Sequence, residues 1–180
     1  MNKNEKSIKK IAIVGPESTG KSTMAKHLSE YFNTLCVPEY SRYYCQNLNK
    51  NYTLEDEVNM FYGQLALEDA IIDQAKTEIV FCDTTIITVK IWCDHLFNNT
   101  PEFILSEIRK KNYDLYLLMD IDLPWQDDPL RDFPNQREHF LEIWKKELKS
   151  IKASYKVISG IGQDRLKNGV QTIEDFLKKP

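Results

Sequence analysis

Gly15-Pro16-Glu17-Ser18-Thr19-Gly20-Lys21-Ser22 sets two glycines five positions apart, the second followed by a lysine and a hydroxyl residue. That spacing is the P-loop, a phosphate cradle. Gly15 and Gly20 permit backbone conformations that aim N–H groups inward at phosphate oxygens. The cradle is expected to run from Gly15 through Glu17, Ser18, Thr19, Gly20, Lys21, Ser22 and Thr23. Lys21 reaches the β- and γ-phosphates of ATP or GTP, Ser22 offers its hydroxyl to Mg²⁺, and the helix that opens here adds its positive end. The flanks agree: an apolar run, Ile11 to Val14, precedes the motif, and an amphipathic one, Lys21 to Phe32, follows it.

Four further apolar runs are Thr34 to Val37, Ile79 to Cys82, Leu115 to Met119 and Tyr155 to Ile158. Each is short and apolar on successive positions, as in strands buried on both faces of a parallel sheet. Between them lie helical patterns at Thr53 to Ala75, Thr85 to Phe97, Phe140 to Ile151 and Ile173 to Leu177, with Thr53 and Asp56 spaced as a capping box. Alternating strand and helix predicts one α/β domain over residues 1–180. Asp120 to Arg137 differs, with three of the seven prolines and five aspartates, and is expected to be a long functional loop.

Composition bounds the function. The net charge is -3, which gives no support for nucleic-acid binding. No apolar run approaches the roughly 18 residues of a membrane helix, and Met1 to Lys10 is too polar for a signal peptide. The four cysteines show no C-x-x-C pairing, and three sit inside apolar or helical runs as small hydrophobes, as expected of a reduced cytoplasmic chain. The six glycines cluster where backbone would meet ligand. Gly160, with Ser159, follows the fifth run and is a candidate adenine wall. Gly63, inside a helix beside Gln64, either clears space for a ligand or permits close helix packing.

A P-loop needs a second carboxylate directed at Mg²⁺ from a neighbouring strand end. Asp83, closing Ile79-Val80-Phe81-Cys82, fits; capping of the next helix is its alternative role. The second strand ends Val37-Pro38-Glu39-Tyr40-Ser41-Arg42, which places Glu39 beyond a strand C-terminus, where such sheets bind ligands. A carboxylate there can accept a proton from an attacking hydroxyl. Arg42 can pair with phosphate or with Glu39.

The P-loop, the Val37-Pro38-Glu39-Tyr40 turn and Phe81-Cys82-Asp83-Thr84 together resemble the ribosylnicotinamide kinase domain of NadR-type proteins. The resemblance runs on through Gly63-Gln64, Lys90-Ile91-Trp92 and Tyr113 to Leu118. Its most specific part is Pro124-Trp125 with Asp128-Pro129-Leu130-Arg131-Asp132. It implies a nucleoside-kinase-like P-loop fold, a three-layer αβα sandwich whose parallel strands lie in the order 2-3-1-4-5. It also implies ATP- and Mg²⁺-dependent phosphorylation of the 5′-hydroxyl of nicotinamide riboside. Carried over, Lys21 and Ser22 hold phosphates and metal, Asp83 supports the metal, and Glu39 takes the place of the base. Residues 120–137 become the lid, with Arg131 and Arg137 closing on phosphate. The adenylyltransferase motif H-x-G-H of many relatives is absent, so that activity is not expected, nor is a DNA-binding segment.

The substrate's cationic ring would be attracted by aromatic faces and carboxylates. Tyr40, Tyr43, Tyr44, Trp92 and Trp125 are candidate walls, with core or surface packing the alternative for each. Glu39, Asp127 and Asp128 are candidate partners for the charge or the ribose hydroxyls, with Arg42 and Gln64 nearby. A deoxynucleoside or nucleoside-monophosphate kinase would share the P-loop, the strand-end acids and the lid. A regulatory nucleotide-binding module would share the P-loop alone.

Overall fold

The computed structural model describes residues 8–48, 50, 52–110 and 113–178, so the first seven residues of the polar N-terminus lie outside it. Five strands form one parallel sheet: β1 (Lys9–Val14), β2 (Cys36–Val37), β3 (Ile79–Asp83), β4 (Leu115–Met119) and β5 (Tyr155–Ile158). Their order is β2-β3-β1-β4-β5, as the resemblance implied. β1 is central, pairing Ile11 with Phe81 of β3 on one side and with Leu115 of β4 on the other. Its alternate side chains enter two cores. Ala12 and Val14 face one cluster, Ile11 and Ile13 the other, and all four are fully buried. Burial of both faces is why β3 and β4 and the Ile11 to Val14 part of β1 read as unbroken apolar runs. The edge strand β5 departs from the expectation, with Lys156 and Val157 exposed.

Helices α1 (Lys21–Tyr31) and α7 (Gly162–Leu177) cover the Ile11 face through Met24, Leu28 and Ile173. The other face receives α3 (Leu54–Ile72), α4 (Ile86–Phe97), α5 (Glu102–Lys110) and α6 (Arg137–Ser150). A short α2 (Tyr40–Gln46) follows β2. The expected Thr53–Asp56 cap is present: Asp56 accepts the Thr53 N–H at 2.9 Å and its hydroxyl at 2.6 Å. Residues 120–136 contain neither helix nor strand, as their prolines require.

Several elements differ from the sequence expectation. β2 is two residues long, because Thr34 turns aside to hydrogen-bond Thr77 and the Ile79 carbonyl. α2, with the sequence Tyr-Ser-Arg-Tyr-Tyr-Cys-Gln, buries no residue and so has no apolar stripe to betray it. α5 was signalled by Ile104 and Ile108, four apart and both buried, and by Arg109 and Lys110 in its last turn. α7 begins eleven positions before Ile173, at Gly162. Among the described residues, no helix is long and apolar enough to cross a membrane.

Gly63 resolves in favour of helix packing. A Cβ at this position would lie 2.0 Å from the Tyr40 ring, so α2 and α3 close here only around a glycine. Overpacking of this kind costs about 1–3 kcal/mol, against about 1 kcal/mol of helix propensity regained by alanine. Gly63→Ala should therefore lower stability by about 1 kcal/mol in urea unfolding. In a Tyr40→Ala background the same change should become stabilising, because the ring is gone.

Candidate active site

The ends of β1, β2, β3 and β4 open on one edge of the sheet, and a cleft of about 980 Å³ runs along it. This is large enough for two small ligands side by side. The P-loop lines it continuously from Gly15 to Thr23, as do Glu39, Arg42, Gln64, Trp92 and Arg131. Gly15 has φ +140° and comes so close to β4 that a Cβ would sit 2.9 Å from the Met119 carbonyl. Inside the loop, the Lys21 ammonium donates to the Pro16 carbonyl at 2.8 Å and the Thr19 hydroxyl donates to the same oxygen at 2.7 Å.

Asp83 lies beneath the loop at 5% exposure and accepts a hydrogen bond from the Ser22 hydroxyl. Burial pushes its carboxyl up to about 6, and the Glu39 charge adds to the rise, while Ser22, Lys21 and Arg42 oppose it. Its Oδ1 is buried without a hydrogen-bond partner. A hydroxyl beside a carboxylate with one free oxygen is a hard, all-oxygen donor set that fits Mg²⁺. No cluster of three His, Cys, Asp or Glu side chains suited to a metal is present among the described residues. Such a set suits an ion shared with nucleotide phosphates. Glu39, at the β2 exit, accepts the Ser41 hydroxyl at 3.0 Å.

The 120–136 segment lies over the P-loop and is latched to it. Ser18 has φ +56°, and its hydroxyl accepts the Gln126 N–H at 2.8 Å. Glu17 accepts the Phe133 N–H at 3.2 Å; burial raises the Glu17 carboxyl above its usual range. Arg137 donates to the Leu123 carbonyl at 2.8 Å and stands 5.9 Å over the Trp125 ring. Arg42 reaches across from α2 to Asp128 at 3.1 Å, with Arg131 3.9 Å from the same carboxylate.

Ten expected residues do not line the cleft itself. Tyr43 is exposed on α2, and Tyr44 donates its hydroxyl to Asp56 at 2.8 Å. Tyr40 packs on Gly63 and gives its N–H to Gln64 at 2.9 Å. Asp83 is under the floor, and Asp128 is occupied by Arg42. Arg137 and Trp125 brace one another over the P-loop, with the Trp125 indole donating to Asp127 at 2.8 Å. The Ser159 and Gly160 carbonyls accept from Asn168 and Arg165, and Gly162, Gln163 and Leu166 line the cleft nearby. Trp92 does line the cleft, packed against Phe133 and Phe140 at 5.4 and 5.2 Å.

Two residues were not anticipated. Arg165, at 4% exposure, donates to the Thr19 carbonyl at 2.9 Å, the Asp120 carbonyl at 2.8 Å and the Gly160 carbonyl at 3.2 Å. It also pairs with Asp122. One guanidinium thus joins the P-loop to the exits of β4 and β5. The scarcity of arginine, five against 19 lysines, was the available signal. Glu57, fully buried on α3, accepts the Tyr52 hydroxyl and lines the far end of the cleft.

These features define a P-loop protein with the αβα fold of nucleoside kinases. The AAA domain family model matches residues 10–165, and the chain belongs to that family. The chain is 28% identical over 130 residues to the Trifunctional NAD biosynthesis/regulator protein NadR of Salmonella typhimurium, covering 69% of this chain and 31% of that one. It therefore spans about a third of the length of the curated relatives it matches. A crystal structure of a NadR protein in complex with NR superimposes with TM-score 0.83 at 19% identity, over 96% of this chain and 52% of that one. Thymidylate kinase from Ehrlichia chaffeensis gives 0.64 at 14% identity, over 94% and 98% of the two chains.

Replacing Arg165 by methionine would strand three carbonyls and one carboxylate. A single stranded buried acceptor costs about 1–3 kcal/mol, so Arg165→Met should lose about 3 kcal/mol or more in urea unfolding. Nucleotide affinity by calorimetry should fall with it.

The buried acids also set a pH dependence. Burial pushes Glu57 up to about 8 from an ordinary value of 4.5, although the Tyr52 hydrogen bond opposes this. The folded state then holds more protons than the unfolded one across that window, so stability falls as pH rises from about 4.5 to 8. Asp83 acts in the same direction up to about pH 6. The melting temperature of the ligand-free protein should decline between pH 6 and 8, and Glu57→Gln should flatten that decline.

Proposed function

We propose that this chain transfers the γ-phosphoryl group of ATP to the 5′-hydroxyl of nicotinamide riboside, forming nicotinamide mononucleotide. The observation that carries the reading is that a P-loop, a strand-end acid and an aromatic chamber share one cleft under an arginine-bearing lid. The resemblance at the lid and the match to NadR proteins, one of them in complex with NR, support the choice of acceptor.

In this reading the P-loop N–H groups and the Lys21 ammonium hold the triphosphate. On nucleotide binding, Lys21 exchanges the Pro16 carbonyl for phosphate oxygen. Ser22 and Asp83 would hold Mg²⁺, which when bound neutralises charge on the β- and γ-phosphates. Glu39 faces the acceptor from the end of β2 and takes the proton of its 5′-hydroxyl; Ser41 keeps the carboxylate oriented. Arg131 stabilises the charge of the transferring group, and the latched lid excludes water as a competing acceptor. ATP is the donor in this reading, and the wall after β5, at Gly162, Gln163 and Leu166, borders its base.

The test is an acceptor panel with ATP and Mg²⁺. Product should form from nicotinamide riboside and not from thymidine, cytidine or nucleoside monophosphates. Product from those alone would overturn the assignment in favour of a deoxynucleoside or nucleotide kinase, and none from any acceptor would favour a regulatory module. Lys21→Ala should abolish transfer. Glu39→Gln should lower turnover by about 100-fold or more while ATP affinity holds. Near-normal turnover in that variant would move the role of base to Asp83.

A further inference from the structure

Helix α3 turns a polar stripe into the core. Glu57, Gln64 and Glu68 lie at helical spacing with 0%, 4% and 0% exposure. Two of them are matched by fixed protein groups. Gln64 takes the Tyr40 N–H and gives to the Pro38 carbonyl, while Glu68 receives the Tyr113 hydroxyl at 2.6 Å with the Lys10 ammonium 3.6 Å away. Glu57 is different. One oxygen accepts the Tyr52 hydroxyl, but Oε2 is sealed from solvent with no hydrogen-bond partner. Glu57 also lines the same cleft as the P-loop, in a chamber with Cys45, Tyr52, Met60, Trp92 and Phe97. Tyr52 and Phe97 stack there, 6.1 Å between ring centres and 21° from parallel. A buried acceptor without a donor is a standing cost that a ligand can relieve.

We infer that Glu57 reads the base of the acceptor nucleoside, its free oxygen receiving a cationic aromatic ring that carries a hydrogen-bond-donating amide. The inference rests on the pyridinium riboside reading above and deepens it. Stacked aromatic faces and one desolvated carboxylate are what such a ring requires. A carboxylate in place of the amide would bring a second negative charge to the same oxygen and be disfavoured. The groups facing Glu57 are the Tyr52 hydroxyl before α3, Asp56 on α3, and the thiols of Cys45 on α2 and Cys93 on α4. Asp56 is itself bound by Lys50, Tyr44 and Thr53. No lysine or arginine pairs with Glu57 among the described residues. The carboxyl, pushed up to about 8 by burial, is mostly protonated in the empty cleft at pH 7. A bound cation ionises it, and one proton leaves to solvent.

The test uses steady-state kinetics at saturating ATP on the intact chain. The wild-type KM should be at least 10-fold lower for nicotinamide riboside than for nicotinic acid riboside, which loses the amide. It should be lower by a similar factor than for the reduced dihydro riboside, which loses the charge. The KM for nicotinamide riboside should fall about 9-fold from pH 6 to 7 and about 5-fold from pH 7 to 8. Glu57→Gln should raise that KM 10- to 100-fold, leave the KM for ATP unmoved and remove the pH slope. An unmoved nicotinamide riboside KM in Glu57→Gln, or equal wild-type KM values for the three ribosides, overturns the inference while the proposed activity stands. If Glu57→Gln does not fold, the wild-type panel decides alone. Phosphorylation of some other nucleoside and none of these ribosides overturns the proposed activity, and this inference with it.

Discussion

The guanidinium of Arg165 is the constraint on which the nucleotide half of the cleft depends. A P-loop is a run of backbone bent to expose N–H groups, so its carbonyls point away from the ligand and need partners behind it. The Thr19 carbonyl finds one in Arg165, and the same planar fork takes the Asp120 and Gly160 carbonyls. Three separate chain crossings at the sheet edge are thereby held in one geometry. A lysine could not do this, because its ammonium is a point donor without the spread of the fork. Gly15 completes the arrangement from the other side, where its missing side chain lets the loop start against the Met119 carbonyl.

How far this was legible depends on the range of the interaction. The inner strands announced themselves because burial on both faces leaves a local apolar run, and the P-loop because its constraints fall within eight residues. The irregular segment 120–136 was legible through its prolines. What escaped was carried by contacts distant in sequence. Arg165 meets Thr19 across 146 positions, and neither residue signals the other. α3 misled for a related reason. Its buried positions include the acids Asp56, Glu57 and Glu68 as well as Met60 and Phe61. Hydropathy ranks a glutamate as exposed, and only the positions of Tyr52, Tyr113 and Lys10 make these burials tolerable.

The lid shows how aromatic residues expected in the acceptor pocket came to be used elsewhere. Trp125 lies between prolines and has no core to join, which made it attractive as a ligand wall. Its indole N–H is instead given to Asp127 and its face to Arg137. Arg137 in turn donates to the Leu123 carbonyl, so the tryptophan stiffens the lid at the point where it crosses Ser18. The chamber walls come from Trp92 and Phe97 on α4 and from Tyr52, all anchored on or beside packed helices. Such walls hold a ring in one orientation at less cost in ordering than a loop tryptophan would.

Two acids combine a raised carboxyl with an unpartnered oxygen, Asp83 under the P-loop and Glu57 beside Tyr52. Both are raised chiefly by desolvation, and each keeps one oxygen unpartnered. Neither arrangement favours folding, since apolar replacements of similar volume would avoid the burial of an acid. Glu68 shows that the same helix can bury an acid with its hydrogen bonds filled from within the protein. The vacancies at Asp83 and Glu57 are therefore not a by-product of burying acids on this scaffold. One lies under the P-loop beside a hydroxyl and a lysine, and the other lines the cleft beside stacked aromatic rings. A metal-bound phosphate chain suits the first environment and a flat cation the second.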